Sequence, residues 1–242
     1  MTRSMGDAEI RQCVFLVGGR GTRLGALTDN TPKPLMPVGG RPFLDWPILW
    51  AARQGITEIV LLAGYLADQI AGLYDGRIVE GARLRCLTEP EPLGTGGALR
   101  FAAPFLAPRF FLANGDTLFD IPLDRLAAAG AGFEACLALR RLEDTGRSGV
   151  VRLEGDRIAA FAERGDGRPG LVNGGVYVLD RRIAEDIATP CSLERDVFPS
   201  LAARGAMGSR IFEGYFIDIG IPRDLARAQT GIPALAFAHG CG

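Results

Sequence analysis

Short apolar runs alternate with amphipathic stretches through the first half of the chain. The apolar runs have the length and composition of buried strands, and the stretches between them have helical spacing. The expected strands cover residues 13–17, 58–63, 83–87 and 110–113, and the expected helices cover 42–54, 66–74 and 96–103. Because neighbouring parallel strands need a crossover, which a helix usually supplies, the alternation predicts a parallel sheet covered on both faces.

The second half of the chain has a different pattern, in which strands follow one another with few helices between them. This change predicts antiparallel or mixed strands and a lobe that faces the substrate. Strands are expected at 133–139, 149–153, 158–161, 171–179 and 215–219, and helices at 181–188, 192–203 and 222–229. We expect a single domain over residues 1–242, with a core from about 12 to 230 and a loosely ordered tail over 231–242.

The charge balance and the cysteine pattern exclude several classes of function. Lysine and arginine number 27 against 28 acidic residues, so no basic excess favours nucleic acid or an anionic membrane. Residues 1–12 are polar and no apolar run has the length of a membrane span, which predicts a cytoplasmic protein. The five cysteines are scattered and His239 is the only histidine, so disulfides, a zinc cluster and a histidine base are not expected.

Two features of residues 16–34 indicate a phosphate site. Gly18, Gly19 and Gly21 follow the first strand, where glycine lets backbone amides approach an anion closely. Their spacing matches neither the dinucleotide fingerprint nor the P-loop. The chain also has a single lysine, Lys33, between two prolines, although it has 26 arginines. That position is suited to a compact point charge, which the wide guanidinium fork does not supply.

The string from Leu16 to Leu24, followed by Pro32-Lys33-Pro34, resembles the signature of the sugar-1-phosphate nucleotidylyltransferases. Further matches extend the resemblance over about residues 12–230. The segments 114–120, 171–177 and 215–222 are most similar to those of the heptose 1-phosphate guanylyltransferases in this family. The resemblance implies a Rossmann-like three-layer sandwich with a mostly parallel mixed sheet, the glycosyltransferase-A-like nucleotidyltransferase fold. Val17 departs from the family, which usually has alanine there.

The resemblance also implies roles for residues near the expected sheet edge. Arg23, Lys33 and Asp116 match catalytic positions, with Arg23 on the triphosphate and Lys33 at the reacting phosphate. The loop 91–98 resembles the nucleobase-binding loop, and Glu89 or backbone carbonyls at 93–95 are candidate acceptors for guanine. A solvent-facing Glu89 is the alternative. The predicted nucleotide-binding residues are Val17, Gly18, Gly19, Gly21, Thr22, Arg23, Glu89, Gly94 and Thr95.

Asp116 and Asp218 each end an apolar run that is typical of a strand. If both strands belong to the sheet, the two carboxylates emerge at its ligand-binding edge and form a suitable Mg²⁺ site. The alternative is that each carboxylate caps the element that follows it.

Four further residues match sugar-binding positions of the family. Glu163, Arg164 and Asn173 match the residues that bind sugar hydroxyls and sugar phosphate, and Gly149 matches a glycine that approaches the sugar. Arg164 replaces the usual lysine. A solvated Glu163 and an Asn173 that only forms a turn are the alternatives.

The resemblance implies that a sugar 1-phosphate attacks the α-phosphorus of a nucleoside triphosphate, GTP being favoured, and that pyrophosphate leaves. D-glycero-α-D-manno-heptose 1-phosphate is the expected sugar substrate, with a mannose-1-phosphate guanylyltransferase or a uridylyltransferase as alternatives. A non-catalytic regulatory subunit and a dinucleotide-dependent oxidoreductase are the candidates from other classes. Neither nucleic acid nor membrane is an expected partner, and the sequence leaves both a monomer and a homo-oligomer open.

Overall fold

A computed structural model of the protein describes residues 9–146, 149–162 and 165–238. Strands and helices alternate up to residue 129, after which strands predominate. The strands are β1 Gln12–Leu16, β2 Pro37–Val38, β3 Arg41–Pro42, β4 Glu58–Ala63, β5 Ile78–Val79, β6 Ala82–Thr88, β7 Arg109–Asn114, β8 Thr117–Phe119, β9 Ala135–Leu142, β10 Val150–Glu154, β11 Arg157–Ala162, β12 Gly170–Asp180, β13 Met207–Ile211 and β14 Phe216–Asp218. The α-helices are α1 Asp45–Arg53, α2 Ala67–Tyr74, α3 Gly94–Ala102, α4 Leu123–Ala129, α5 Arg181–Asp186, α6 Phe198–Ala203 and α7 Pro222–Ala238.

Ten of the described strands form one sheet, in the order β10-β11-β13-β9-β12-β7-β1-β4-β6-β5. Relative to β1, strands β4, β6, β7, β9, β10 and β13 run in the same direction, and β5, β11 and β12 run against it. Seven of the ten strands therefore share one direction, which confirms the expected mixed and mostly parallel sheet. The parallel group β7-β1-β4-β6 brings the carboxyl ends of four strands to one edge.

Helices cover both faces of the sheet. Phe15 and Leu61 point to the face packed by α1, α2 and α4, whereas Val14 and Leu112 point to the face packed by α3, α5 and α6. Because side chains alternate along a strand, each apolar run supplies both cores, and all of these side chains are fully buried. The three-layer sandwich expected from the sequence is confirmed.

A third apolar cluster lies beyond the sheet and supports the site. The β2–β3 hairpin and the two-stranded sheet of β8 and β14 pack there with helix α7 through Val38, Leu118, Ile217 and Ile232. Gln229 ties the helix to the hairpin, since its side chain donates to the Pro37 carbonyl at 2.7 Å and accepts from the Gly39 amide at 3.1 Å.

Helix α7 is longer than the sequence pattern predicts. The loosely ordered tail expected after residue 230 is wrong as far as Ala238, because the helix continues through Pro233. Ile232 is 1% exposed, so packing against the third cluster stabilises the segment despite its weak periodicity. Residues 239–242 lie outside the described residues.

Three further details differ from the expected elements. Helix α1 begins at Asp45, not at residue 42, because Pro42 pairs with Pro37 in the β2–β3 hairpin. The sequence pattern also missed helix α4 and strand β13, whose Met207 pairs with Ala135 in parallel.

Among the described residues, no helix combines the length and apolar character needed to cross a membrane.

Candidate active site

The glycine-rich segment leaves the sheet at the carboxyl end of β1. The Val17 amide donates to the Leu62 carbonyl at 2.9 Å, and the Gly18 carbonyl accepts from the Tyr65 amide at 3.1 Å. A Cβ on Gly18 would lie 3.0 Å from both the Gly64 amide nitrogen and Glu89 Oε1, so a larger residue would require these neighbours to shift. Gly19 lies past this point, where it is exposed and lines the cleft described below.

The segment then bends back over Lys33. Gly21 has a φ of 65°, and a Cβ there would lie 3.1 Å from the Lys33 Cβ. The Thr28 hydroxyl fixes the bend, since it donates to the Gly21 and Gly25 carbonyls at 3.3 and 3.1 Å. Thr22 and Arg23 begin a 3₁₀ helix over Thr22–Thr28, and both side chains are exposed.

Lys33 joins two distant aspartates. It begins a short 3₁₀ helix, Lys33–Leu35, and is 5% exposed. Its Nζ lies 2.5 Å from Asp116 Oδ2 and 3.4 Å from Asp218 Oδ1. A buried ammonium needs compensating negative charge, and the two carboxylates supply it.

The antiparallel pairing of β8 with β14 brings the two aspartates together. Asp218 pairs with Thr117, the residue after Asp116, and the Ile219 amide donates to the Asp116 carbonyl at 3.0 Å. Burial and the neighbouring Asp116 charge raise the pKa of Asp218, although the Lys33 ammonium and the Gly220 amide oppose the shift. Asp116 and Asp218 therefore share the Lys33 ammonium, while the bond from the Gly220 amide to Asp218 is a local contact of the kind that the capping alternative describes.

Arg23 approaches the same point as Lys33. A Cβ on Gly220 would lie 3.2 Å from Arg23 Nη2, 3.1 Å from Lys33 Nζ and 2.8 Å from Asp218 Oδ1. Glycine at position 220 therefore leaves room for two cations and a carboxylate to converge. The structure thus brings Arg23, Lys33, Asp116 and Asp218 together at the carboxyl edge of the sheet.

The carboxylate pair fits the Mg²⁺ expected from the sequence. Mg²⁺ prefers hard oxygen ligands and usually takes only one or two protein carboxylates, with water and substrate phosphates completing its shell. No group of three or more acidic, histidine or cysteine side chains forms a metal cluster within the described residues. Asp116 and Asp218 are thus suited to a metal shared with a phosphate ligand and not to an all-protein cage.

The predicted nucleobase loop lies next to the glycine-rich segment. The Glu89 amide donates to the Ala63 carbonyl, and Glu89 Oε2 accepts from the Leu93 amide at 3.2 Å. Glu89 is half-buried beside Gly18, and this burial raises the pKa of its carboxyl. Glu89 is therefore only partly exposed to solvent, and its role at the nucleobase stays a prediction.

The far end of this loop is tied to residues 191–194. Gly94 has a φ of 75°, and a Cβ there would collide with the Cys191 carbonyl. The hydrogen and one of the two lone pairs of the Thr95 hydroxyl are used within the protein, since it donates to Glu194 Oε2 at 3.0 Å and accepts from the Leu193 amide at 2.8 Å. The Thr95 hydroxyl therefore has no further hydrogen to donate to a nucleotide.

A cleft of about 200 Å³ lies where these segments meet. It contains the glycine-rich segment, the Lys33–Asp116 pair and the end of the nucleobase loop. Its lining residues are Leu16, Gly19, Lys33, Pro34, Thr95, Asn114, Asp116 and Glu194. The sequence interpretation did not single out Asn114 or Glu194 as site residues. Asn114 precedes the Gly115-Asp116 pair, which is a usable signal, but nothing in the sequence links Glu194 to Thr95, 99 residues away.

The expected sugar site lies beside this cleft. Asn173 Nδ2 donates to the Tyr177 hydroxyl at 2.8 Å, and the same hydroxyl is hydrogen-bonded by Asn114. Burial raises the pKa of Tyr177. Gly149 directly precedes β10, whose Val150 pairs with Val172 of β12. Because this pairing is antiparallel, the same register places Gly149 opposite Asn173. Glu163 and Arg164 lie outside the described residues.

A larger cavity, about 680 Å³, lies between helices α1 and α7. It is lined mainly by apolar side chains such as Trp46, Trp50 and Leu118, and it contains none of the predicted site residues. Of the predicted catalytic residues, Lys33 and Asp116 line the smaller cleft.

A mostly parallel sheet with a cleft at the carboxyl ends of its strands is the arrangement in which open α/β proteins bind ligands. The chain belongs to the nucleotidyl transferase family, since residues 12–234 match the sequence model of that family. The match covers the central sheet, both aspartates and most of helix α7.

Three known proteins show where the chain lies in this family. It is 36% identical to D-glycero-alpha-D-manno-heptose 1-phosphate guanylyltransferase of Campylobacter jejuni, over 88% of this chain and 96% of that protein. It is 34% identical to a probable mannose-1-phosphate guanylyltransferase 1 of Oryza sativa, over 88% of this chain and 62% of that protein. The crystal structure of HddC from Yersinia pseudotuberculosis complexed with GMP-PN matches with a TM-score of 0.82 and 30% identity, covering 92% of this chain and 99% of HddC.

Proposed function

We propose that the protein transfers a guanylyl group from GTP to a sugar 1-phosphate, D-glycero-α-D-manno-heptose 1-phosphate, and releases pyrophosphate. The observation that carries the proposal is the buried Lys33 ammonium, held by Asp116 and Asp218 beside the glycine-rich segment. The name of the Campylobacter relative supports both the reaction and the sugar, and the GMP-PN in HddC supports the guanine nucleotide.

The reaction needs positioning and charge neutralisation more than it needs a base. A sugar 1-phosphate is already an anion, so its oxygen attacks the α-phosphorus in line without losing a proton, and the pyrophosphate group leaves with the electron pair. Arg23 is exposed at the mouth of the site and binds the triphosphate. Lys33 Nζ is fixed at the centre and stabilises charge on the reacting phosphate oxygens.

Asp116 and Asp218 would hold Mg²⁺, which neutralises phosphate charge when it is bound. The protein itself contributes the geometry of the pair. Thr117 Oγ1 donates to Asp116 Oδ1 at 3.1 Å, and the Gly220 amide donates to Asp218 Oδ1 at 2.6 Å, so both carboxylates have fixed orientations.

Glu89 is the proposed guanine acceptor. Guanine presents N–H donors on its pairing edge, and a half-buried carboxylate between Gly18 and Leu93 offers an acceptor there. The backbone carbonyls of residues 93–95 are the alternative acceptors. Uracil presents a different set of donors and acceptors on its pairing edge. Substitution of Glu89 therefore tests which nucleobase the site prefers.

Mannose 1-phosphate is the second candidate sugar, because the Oryza relative carries that name. A non-catalytic regulatory role is disfavoured by the complete set of Arg23, Lys33, Asp116 and Asp218. In a relative that has lost catalysis, we would expect at least one of these four charged residues to be replaced.

The test is a pyrophosphate-release assay with Mg²⁺ that crosses GTP, ATP, UTP and CTP with four sugar 1-phosphates. The sugars are D-glycero-α-D-manno-heptose, mannose, glucose and N-acetylglucosamine 1-phosphates. The proposal predicts the highest kcat/KM for GTP with the heptose. Release with another pair would contradict the substrate assignment, and release with none would contradict the proposed reaction.

A further inference from the structure

Glu194 is a charged group of the cleft that the mechanism above does not use. It lies in the π-helical turn Leu193–Val197, and its side chain is half-buried. Glu194 Oε2 accepts from the hydroxyls of Thr95 and Ser192, each at 3.0 Å. Within the described parts of the chain no group donates to Oε1. One oxygen of the carboxylate is thus fixed by the protein, and the other is available to a ligand.

The chemistry of the cleft restricts what that oxygen can bind. A carboxylate repels phosphate groups, so its free oxygen is suited to a neutral hydrogen-bond donor of the ligand and not to a phosphate. Lys33 already has two carboxylate partners, Asp116 and Asp218. A hydroxyl group of the ligand is a suitable partner for Glu194 Oε1.

The neighbours of Glu194 indicate which ligand supplies the hydroxyl. Its charge acts on Tyr177, where it is the largest cause after burial of the raised pKa. The Tyr177 hydroxyl binds Asn173 and Asn114, the group assigned above to the sugar side of the cleft. Glu89, the proposed guanine acceptor, is instead at the other end of the nucleobase loop, beside Gly18.

We propose that Glu194 accepts a hydrogen bond from a hydroxyl of the sugar 1-phosphate and discriminates between sugars by that contact. This inference rests on the proposed function and adds a specificity residue to it. Thr95 and Ser192 are positioning residues, because they fix the carboxylate and are not required to contact the sugar. Glu194 is not a catalytic residue, since no bond at the reacting phosphorus involves it.

The first test separates the two substrates kinetically. Glu194→Gln keeps an oxygen that accepts from Thr95 and Ser192, but it turns an amide donor toward the cleft. We expect KM for the sugar 1-phosphate to rise about 10- to 100-fold, as for the loss of one hydrogen bond to a charged group, with KM for GTP nearly unchanged. Glu213→Gln is the matched control, because Glu213 is exposed and outside the cleft lining. A rise in KM for GTP alone, or no change in either KM, would overturn the inference.

The second test identifies the hydroxyl. Singly deoxygenated sugar 1-phosphates are compared in the wild type and in Glu194→Gln. Removing the contacted hydroxyl should raise the KM of the wild type for the sugar 1-phosphate about 10-fold or more. The same removal should leave the KM of Glu194→Gln unchanged, because the variant has already lost this contact. Equal losses in both proteins at every hydroxyl would show that Glu194 contacts none of them.

Two further measurements make the result independent of turnover and of folding. Calorimetric titration of the sugar 1-phosphate should show the same loss of affinity in Glu194→Gln. If the wild type binds the sugar in this way but releases no pyrophosphate, the proposed reaction fails and the inference stands. Thr95→Val should raise KM for the sugar, and Thr95→Ser should keep it near the wild-type value, because the contact of residue 95 with Glu194 is made by its hydroxyl and not by its methyl group. A failure of serine to restore KM would contradict the positioning role.

Discussion

Lys33 Nζ lies 2.5 Å from Asp116 Oδ2, although the two residues are 83 positions apart in the chain. Lys33 comes from the short helix after the glycine-rich segment, and Asp116 comes from the turn after β7. Asp218 reaches the same ammonium from β14, which pairs with β8 next to Asp116. The central sheet and the β8–β14 pair therefore fix a cation between two carboxylates before any substrate is bound.

Gly220→Ala should impair activity without unfolding the protein. Gly220 does not have a positive φ, so alanine is allowed by the backbone, but its Cβ would press on Asp218, Lys33 and Arg23. We expect kcat/KM to fall about 100-fold, the size of effect seen when one electrostatic contact is misplaced. Gly72→Ala in helix α2 is the control, because a Cβ there meets nothing within 4 Å. Equal activity of the two variants would contradict the crowding at Gly220.

Asp218→Asn should stabilise the protein at neutral pH while it abolishes turnover. The pKa of Asp218 is raised in the folded state, so the folded state binds the proton more tightly than the unfolded state does. The ionised side chain therefore costs stability, and this cost develops as the pH rises through and above the usual aspartate range. The gain in Tm of Asp218→Asn over wild type should be larger at pH 8 than at pH 4. A variant that melts below wild type at pH 8 would contradict this sign.

Glu89→Gln should reduce the preference for GTP over UTP. The substitution replaces one acceptor oxygen of a half-buried carboxylate by an amide donor, which cannot accept from guanine. We expect the ratio of kcat/KM for GTP to that for UTP to fall about 10-fold. An unchanged ratio would contradict the role of Glu89 and would favour the backbone carbonyls of residues 93–95 as the groups that recognise the base.

Ile232→Ala tests the packing of helix α7 beyond residue 230. Ile232 is buried in the third apolar cluster, so truncation should lower the free energy of unfolding by about 2–4 kcal/mol. Thr230→Ala is the control, because Thr230 is exposed on the same helix and alanine favours helix. The two variants are compared by urea denaturation. A loss of less than about 0.5 kcal/mol for Ile232→Ala would be inconsistent with a buried site.

The parts of the fold that local pattern determines were predictable. The bounds of β4, 58–63, follow from its apolar run, and the parallel group follows from the alternation of strands and helices. Strand β8 was not predictable, because its three residues are too short for a period and it forms only by pairing with β14. Helix α7 was predicted too short because contacts with distant residues stabilise its second half.

The site was predictable where a residue follows directly from a strand or a glycine-rich segment. Lys33, Asp116 and Asp218 are in that class, and the structure places them together, while their roles in catalysis stay predictions. Glu194 was not predictable, since its position depends on hydrogen bonds to Thr95 and Ser192 that no periodicity encodes. The roles of Gly149, Glu163, Arg164 and Asn173 stay predictions as well.

The most direct test of this account is the pyrophosphate-release rate of Lys33→Ala and Lys33→Arg, with folding checked by circular dichroism. The account predicts that kcat of Lys33→Ala falls on the order of 10²- to 10³-fold, because the only ammonium at the reacting centre is lost. Lys33→Arg should not restore it, since a guanidinium does not fit the 5% exposed space between the two aspartates. Folded Lys33→Ala with nearly full turnover would contradict the account.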